Sequence, residues 1–172
     1  LSAVPGVGDA FGGANAARKA VKSGLSAFEA ATSPKIVGNV IKSNTAGTIR
    51  AVERPDKTVD LVLKRKDIWD EIQMSQATRK ARDLSRADTQ VTSKENIHRD
   101  PNVTKNFRKN NSDHIPDGYD VDHVIDLQLG GVDSASNLRP LDASVNRSMG
   151  AQIHYLIKDL PEGTKIGNVI FE

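Results

Sequence analysis

Within the stretch VDHVIDLQLGGVDSASNLRPLDASVNRSMG, residues 121–150, a carboxylate, an imidazole and two amides fall at spacings that could serve phosphodiester hydrolysis. Asp122 and His123 are adjacent on an expected strand, so their side chains should face opposite ways unless a bulge or twist brings them together. Gly130-Gly131 allow a tight open loop, Asn137 follows it, and Ser144 and Asn146 fall in the first turn of an expected helix. A carboxylate oxygen and an amide oxygen can hold Mg²⁺, which keeps several waters and binds phosphate directly. An imidazole, with an ordinary pKa of ~6.5, can take a proton from the attacking water near neutral pH. The ion would stabilise the charge that grows on the leaving oxygen.

The elements that must position these groups follow from local patterning. Residues 119–125 read as a strand, 137–141 as a short extended piece and 143–159 as a helix. A Pro-Glu-Gly turn and a last strand at 165–171 follow. Upstream, Asp9 can cap an Ala-rich helix over about 10–31, with Phe11, Ala14, Val21, Leu25 and Phe28 on one side and Ser33-Pro34 as its stop. Residues 46–53 and 58–63 flank Arg54-Pro55-Asp56-Lys57 and predict a β-hairpin. A helix is expected from Asp67 to about Arg86, with Ile68, Ile72, Met74 and Leu84 among its apolar positions. The polar residues 87–118, broken by Pro101, Pro116 and Gly118, predict loops with short helices.

Composition narrows the function classes. With 37% hydrophobic and 27% charged residues, the 172-residue chain can bury one core. It has no cysteine, which excludes disulfides and Cys-x-x-Cys zinc knuckles. No apolar run approaches the ~20 residues of a membrane helix. The opening LSAVPGVGDA has neither an initiator Met nor a basic region, which argues against a signal peptide and for a piece excised from a longer chain. The net charge of +2 hides a division. Residues 1–60 hold 8 basic against 5 acidic side chains, 61–111 hold 12 against 7, and 112–172 hold 4 against 10. The acidic last third, which contains the candidate site, would repel nucleic acid without a cation in it. The basic middle third offers Lys64, Arg65, Lys66, Arg79, Lys80, Arg82, Arg86, Lys105, Arg108 and Lys109 to phosphates.

The Asp-His pair, with Gly-Gly, Asn-Leu and Asn-Arg beginning 7, 14 and 23 residues after His123, resembles the HNH signature. That ββα-metal fold is shared by colicin DNases, homing endonucleases, phage endonuclease VII and the HNH domain of RNA-guided CRISPR nucleases. The resemblance implies an α+β chain whose HNH, treble-clef-like core (112–172) follows a pre-toxin helical segment (1–45) and a hairpin and basic helical region (46–111). It implies His123 as general base, Asp122 and Asn146 as ligands of Mg²⁺ (Mn²⁺ being the alternative), and Asn137 as the residue that holds the histidine loop. The chain is most similar to variants with Asn at the third position of the signature. It departs from the pattern in lacking cysteines and in placing Met149 where a lysine often precedes the glycine.

Other residues are secondary. Arg147, at the helix start, is expected either to hold a phosphate or to be a surface arginine, and Arg79, Lys80 and Arg82 are expected to contact DNA. Asp126 is expected as a structural or outer carboxylate before a ligand, His114 as a loop histidine before one that assists the site, and His154 as a partly exposed helix residue before one that lines the site. At the other end, AVPGVGDA and the Ala- and Lys-rich segment after it resemble the pre-toxin region of bacterial polymorphic toxins, including Rhs-type proteins. This second resemblance implies an effector, such as a type VI effector, released from a larger carrier protein. It would be secreted, delivered into the cytoplasm of a target cell and neutralised at home by a cognate immunity protein. The rival expectations are a housekeeping, phage or restriction HNH enzyme, and a DNA-binding module that does not cut.

Overall fold

The computed structural model describes residues 36–172. The expected helix over 10–31 and most of the expected pre-toxin segment lie outside the described residues. What is described is an α+β fold of two sheets and three α-helices, with four 3-10 turns between them.

The larger sheet begins with β1 (Asn39–Ser43), β2 (Arg50–Glu53) and β3 (Val59–Leu63), joined as an antiparallel meander. β2 and β3 form the expected hairpin. Its turn is closed by Arg54 N–H donating to the Thr58 carbonyl (2.9 Å), while the Asp56 carboxylate accepts from both the backbone N–H (3.0 Å) and the hydroxyl (2.7 Å) of Thr58. β2 starts later than its sequence suggests. Residues 44–49 are occupied by a turn in which the Asn44 side chain accepts from Ile49 N–H (3.1 Å) and Gly47 takes φ 67°. β1 has no counterpart in the sequence pattern. Four of its five residues are exposed, so it has no apolar face to betray it and is held by backbone pairing to β2.

Between the meander and the site lies α1 (Glu71–Arg86). It starts four residues beyond the expected Asp67, because Trp69 turns into the core. There Trp69 meets Phe171 edge to face at 6.2 Å and donates its indole N–H to Ser144 Oγ at 3.1 Å. Asp70 then caps the helix in a capping box with Gln73. Ile68 and Ile72, named among the apolar positions of the expected helix, are exposed at 85% and 64%. The buried stripe is Ala77, Lys80, Ala81 and Leu84, at the i, i+3, i+4, i+7 spacing of one helix face.

Pro101 opens α2 (Pro101–Asn110), with Asp100 capping it. β4 (Tyr119–His123) and β5 (Leu138–Asp142) then form a separate antiparallel pair, in register from Tyr119↔Asp142 to His123↔Leu138. α3 (Ala143–Ile157) follows β5 with no linker, because Asp142 ends the strand and caps the helix by accepting from Ser144 and Val145 N–H. Its inner face is Val145, Met149, Ile153, Leu156 and Ile157. Met149 is fully buried there, so a lysine at that position could not reach a phosphate.

β6 (Ile166–Phe171) closes the molecule by pairing parallel to β3, from Val59↔Ile166 to Leu63↔Phe171. The larger sheet therefore runs β1-β2-β3-β6, with α1 packed on β6 and against α3. The hairpin region and the acidic last third share this sheet and one apolar core, and the described residues belong to one compact unit. Among the described residues no helix is long and apolar enough to cross a membrane.

Candidate active site

The loop from residue 124 to 137 leaves the end of β4 and returns to the start of β5, and Asn137 ties it shut. Its side-chain oxygen accepts from Ile125 N–H (2.9 Å), and its amide donates to the carbonyls of Ile125 and Val132 (2.9 Å each). Its backbone carbonyl takes Val124 N–H at 2.7 Å. A buried amide with three such bonds fixes the loop far better than a solvated one could. The glycines are needed here for separate reasons. Gly130 sits at φ 85°, and a Cβ on Gly131 would lie 1.9 Å from the Ile125 carbonyl oxygen.

His123 ends β4 and is buried to 6% exposure. Its Nε2 is 2.8 Å from Asp133 Oδ1 across that loop, and Asp133 Oδ2 accepts the backbone N–H of Asp100 at 2.6 Å, just before α2. The hydrogen bond from His123 holds the Asp133 carboxyl below the usual carboxylate range, against the opposing effect of burial. An ionised Asp133 can only accept, so Nε2 carries a proton and Nδ1 is left as the nitrogen able to take one.

Asp122, one residue earlier, turns the other way, as strand alternation requires. Its Oδ2 lies 2.6 Å from Lys80 Nζ, inside the protein. Burial pushes the Asp122 carboxyl above its usual range despite the charge of Lys80 beside it. Lys80 Nζ also donates to the His123 carbonyl at 2.9 Å and lies 3.4 Å from Asp126 Oδ2. Asp126 is thus a neighbour of the site, on the same side as Asp122. Although their side chains reach different partners, Asp122 and His123 border one cleft.

That cleft, about 750 Å³, is also lined by Asp120, Asp126 and Asn146, with Arg99, Lys105 and Arg108 as its cationic residues. Asn146 reaches Asp120 and not Asp122: its amide donates to Asp120 Oδ2 at 3.0 Å, and among the described residues no hydrogen bond reaches its own oxygen. Arg147 grips both oxygens of Asp120 (3.2 and 3.1 Å) while staying 74% exposed. Burial works against ionisation of Asp120, but the bonds from Arg147 and Asn146 outweigh it and hold the carboxyl below its usual range.

Among the described residues no group of three or more His, Cys, Asp or Glu is arranged around an ion position. The cleft oxygens available to an ion include the one of Asp122 not engaged by Lys80 and the Asn146 amide oxygen, with the Asp126 carboxylate beside them. A sparse hard-oxygen set of this kind fits Mg²⁺, which prefers waters and substrate phosphate for its other positions.

The structure brings Asp122, His123 and Asn146 to one cleft, with Asn137 behind it. Arg147 stands at its rim, committed to Asp120. The expectations for the α1 cations change. Lys80 is fully buried and cannot contact DNA as a surface lysine would. Arg79 and Arg82 are exposed on α1 but do not line the cleft. His114 and His154 are exposed and also outside it. Four features escaped the sequence reading: Arg99, Asp120, Asp133 and the true position of Lys80. For Lys80 a signal existed, a lysine on the Ala77–Ala81–Leu84 face of an amphipathic helix. Asp133 lies in an irregular loop, where spacing carries no direction. No family model, curated protein or solved structure matches this chain, so its affinities rest on the residues and geometry of the site itself.

Proposed function

We propose that this chain is a metal-dependent HNH endonuclease that hydrolyses DNA phosphodiester bonds, acting as the toxin domain of a bacterial polymorphic toxin. The observation that carries the enzymatic reading is the cleft shared by Asp122, His123 and Asn146, with a carboxylate behind the imidazole and cationic side chains around it. A ββα order, β4, β5 and α3, supplies all three residues. Asp122 and Asn146 would hold Mg²⁺ or Mn²⁺, which when bound neutralises charge on the scissile phosphate and the leaving oxygen. His123 accepts the proton of the attacking water at Nδ1, while Asp133 keeps the ring in the tautomer that leaves Nδ1 bare. Arg99, Lys105 and Arg108 take neighbouring phosphates and offset the acidic wall. The delivery role is supported by the amino-terminal resemblance, from which a carrier, an immunity protein and action in a target-cell cytoplasm follow.

Incubation with supercoiled plasmid in Mg²⁺, and in EDTA, tests the chemistry. Nicked and linear products that vanish with EDTA are expected; retardation of intact plasmid in both would leave only a binding module. Expression in a host without any partner protein tests the role. Loss of viability, restored by His123→Ala, is expected of a toxin, whereas a healthy host producing an active nuclease would indicate a housekeeping, phage or restriction enzyme.

A further inference from the structure

Lys80 has no exposed surface, yet its ammonium is not consumed by one counter-ion. A lysine offers three N–H donors, and three oxygens surround Nζ: Asp122 Oδ2 at 2.6 Å, the His123 carbonyl at 2.9 Å and Asp126 Oδ2 at 3.4 Å. Asp126 Oδ2 is buried and has no hydrogen bond of its own. Isolated charges are costly to bury, so a lysine on the inner face of α1 is tolerated only because these oxygens surround it.

We infer that Lys80 is a positioning residue that acts as a built-in counter-cation, occupying one oxygen of Asp122 so that a metal ion receives only the other. The inference rests on the metal-nuclease reading above. Two consequences separate it from a purely structural lysine. Fixing Oδ2 and the His123 carbonyl on the same ammonium sets Asp122 and the His123 backbone relative to each other, the two groups that must address the ion and the water. The positive charge also repels the ion, so affinity is restrained while geometry is fixed. Neutral partners behind a metal ligand usually raise affinity, and their loss weakens binding. A cationic partner has the opposite sign, because its removal leaves Asp122 and Asp126 to the ion alone.

Lys80→Met is therefore expected to bind Mn²⁺ about tenfold tighter or more by isothermal titration, the direction set by removal of a nearby like charge. Its cleavage at saturating metal and plasmid should fall by about 10–100-fold, the usual cost of losing a ligand's supporting partner. A folded Lys80→Met with unchanged or weaker Mn²⁺ affinity, or with wild-type turnover, overturns the inference. A crystal structure of the wild-type protein with Mn²⁺ needs no variant and decides the same point if Lys80→Met fails to fold. The ion is expected on Asp122 Oδ1 with Lys80 still on Oδ2, and an ion chelated by both oxygens, or a displaced lysine, overturns it. Wild-type protein that binds no Mn²⁺ would instead sink the nuclease reading, and this inference with it.

Discussion

In the proposed reaction His123 and Asp133 divide one task between two side chains: the ring would move the proton, and the carboxylate 2.8 Å from Nε2 would set which nitrogen does so. His123→Ala should lower plasmid cleavage by ~10²–10⁴-fold with the circular dichroism spectrum retained, since loss of a positioned base typically costs that much. Asp133→Asn should cost less, about tenfold, because an amide oxygen can still accept from Nε2 but carries no charge. Equal rates for Asp133→Asn and wild type would remove the carboxylate from the mechanism. Asp120 gives a test that does not depend on activity. Its carboxyl is held below the ordinary value near 3.9, so its ionised form stabilises the fold. That stabilisation is fully present above about pH 4 and is lost as pH falls through the depressed folded value. The difference in denaturation midpoint between wild type and Asp120→Asn should accordingly be level near neutrality and shrink in acid. A difference that grows in acid would contradict the Arg147–Asp120–Asn146 arrangement.

At the level of elements, the cations that line the cleft belong to α2 and its approach, not to α1. Arg99, Lys105 and Arg108 line the cleft; Arg79 and Arg82 do not. Charge reversal at Lys105 and Arg108 should raise KM for plasmid with a smaller effect on kcat. It should also flatten the salt dependence of binding, by ~0.9 log unit per log unit of salt for each duplex phosphate no longer neutralised. Reversal at Arg79 and Arg82 should leave that slope unchanged; the opposite pattern would move the DNA track onto α1. Because Asp133 bonds both His123 and the backbone at Asp100, the start of α2 is fastened to the base itself. This arrangement ties α2, which carries Lys105 and Arg108, to His123 through one carboxylate.

Across the whole molecule, the parts legible in the sequence are those with local causes. β4, β5, α3 and β6 each fall within two residues of their expected starts, because alternation, an Asp cap and a Pro-Glu-Gly turn act over a few neighbours. Asp122, His123, Asn137 and Asn146 are legible for the same reason: they lie within one strand-loop-strand-helix run. What is not legible is long-range. β1 is exposed at four of its five residues, Trp69 leaves the helix pattern for a partner at Phe171, and the oxygens that hold Lys80 on the buried face of α1 come from β4 and the loop after it. The parallel register of β6 on β3 likewise has no local cue. That pairing also bears on time. Joining Val59 to Ile166 means closing most of the described chain into a loop before any ladder bond is gained, and non-local parallel pairings are slow to form. The meander, the β4–β5 pair and the separate helices can arise early from neighbouring residues. α1, however, finds its main support only when β6 arrives, and α1 carries the lysine that sits behind Asp122. An unfolded or partly emerged chain would thus hold every residue of the candidate site and still lack a formed cleft, which is completed only once β6 docks.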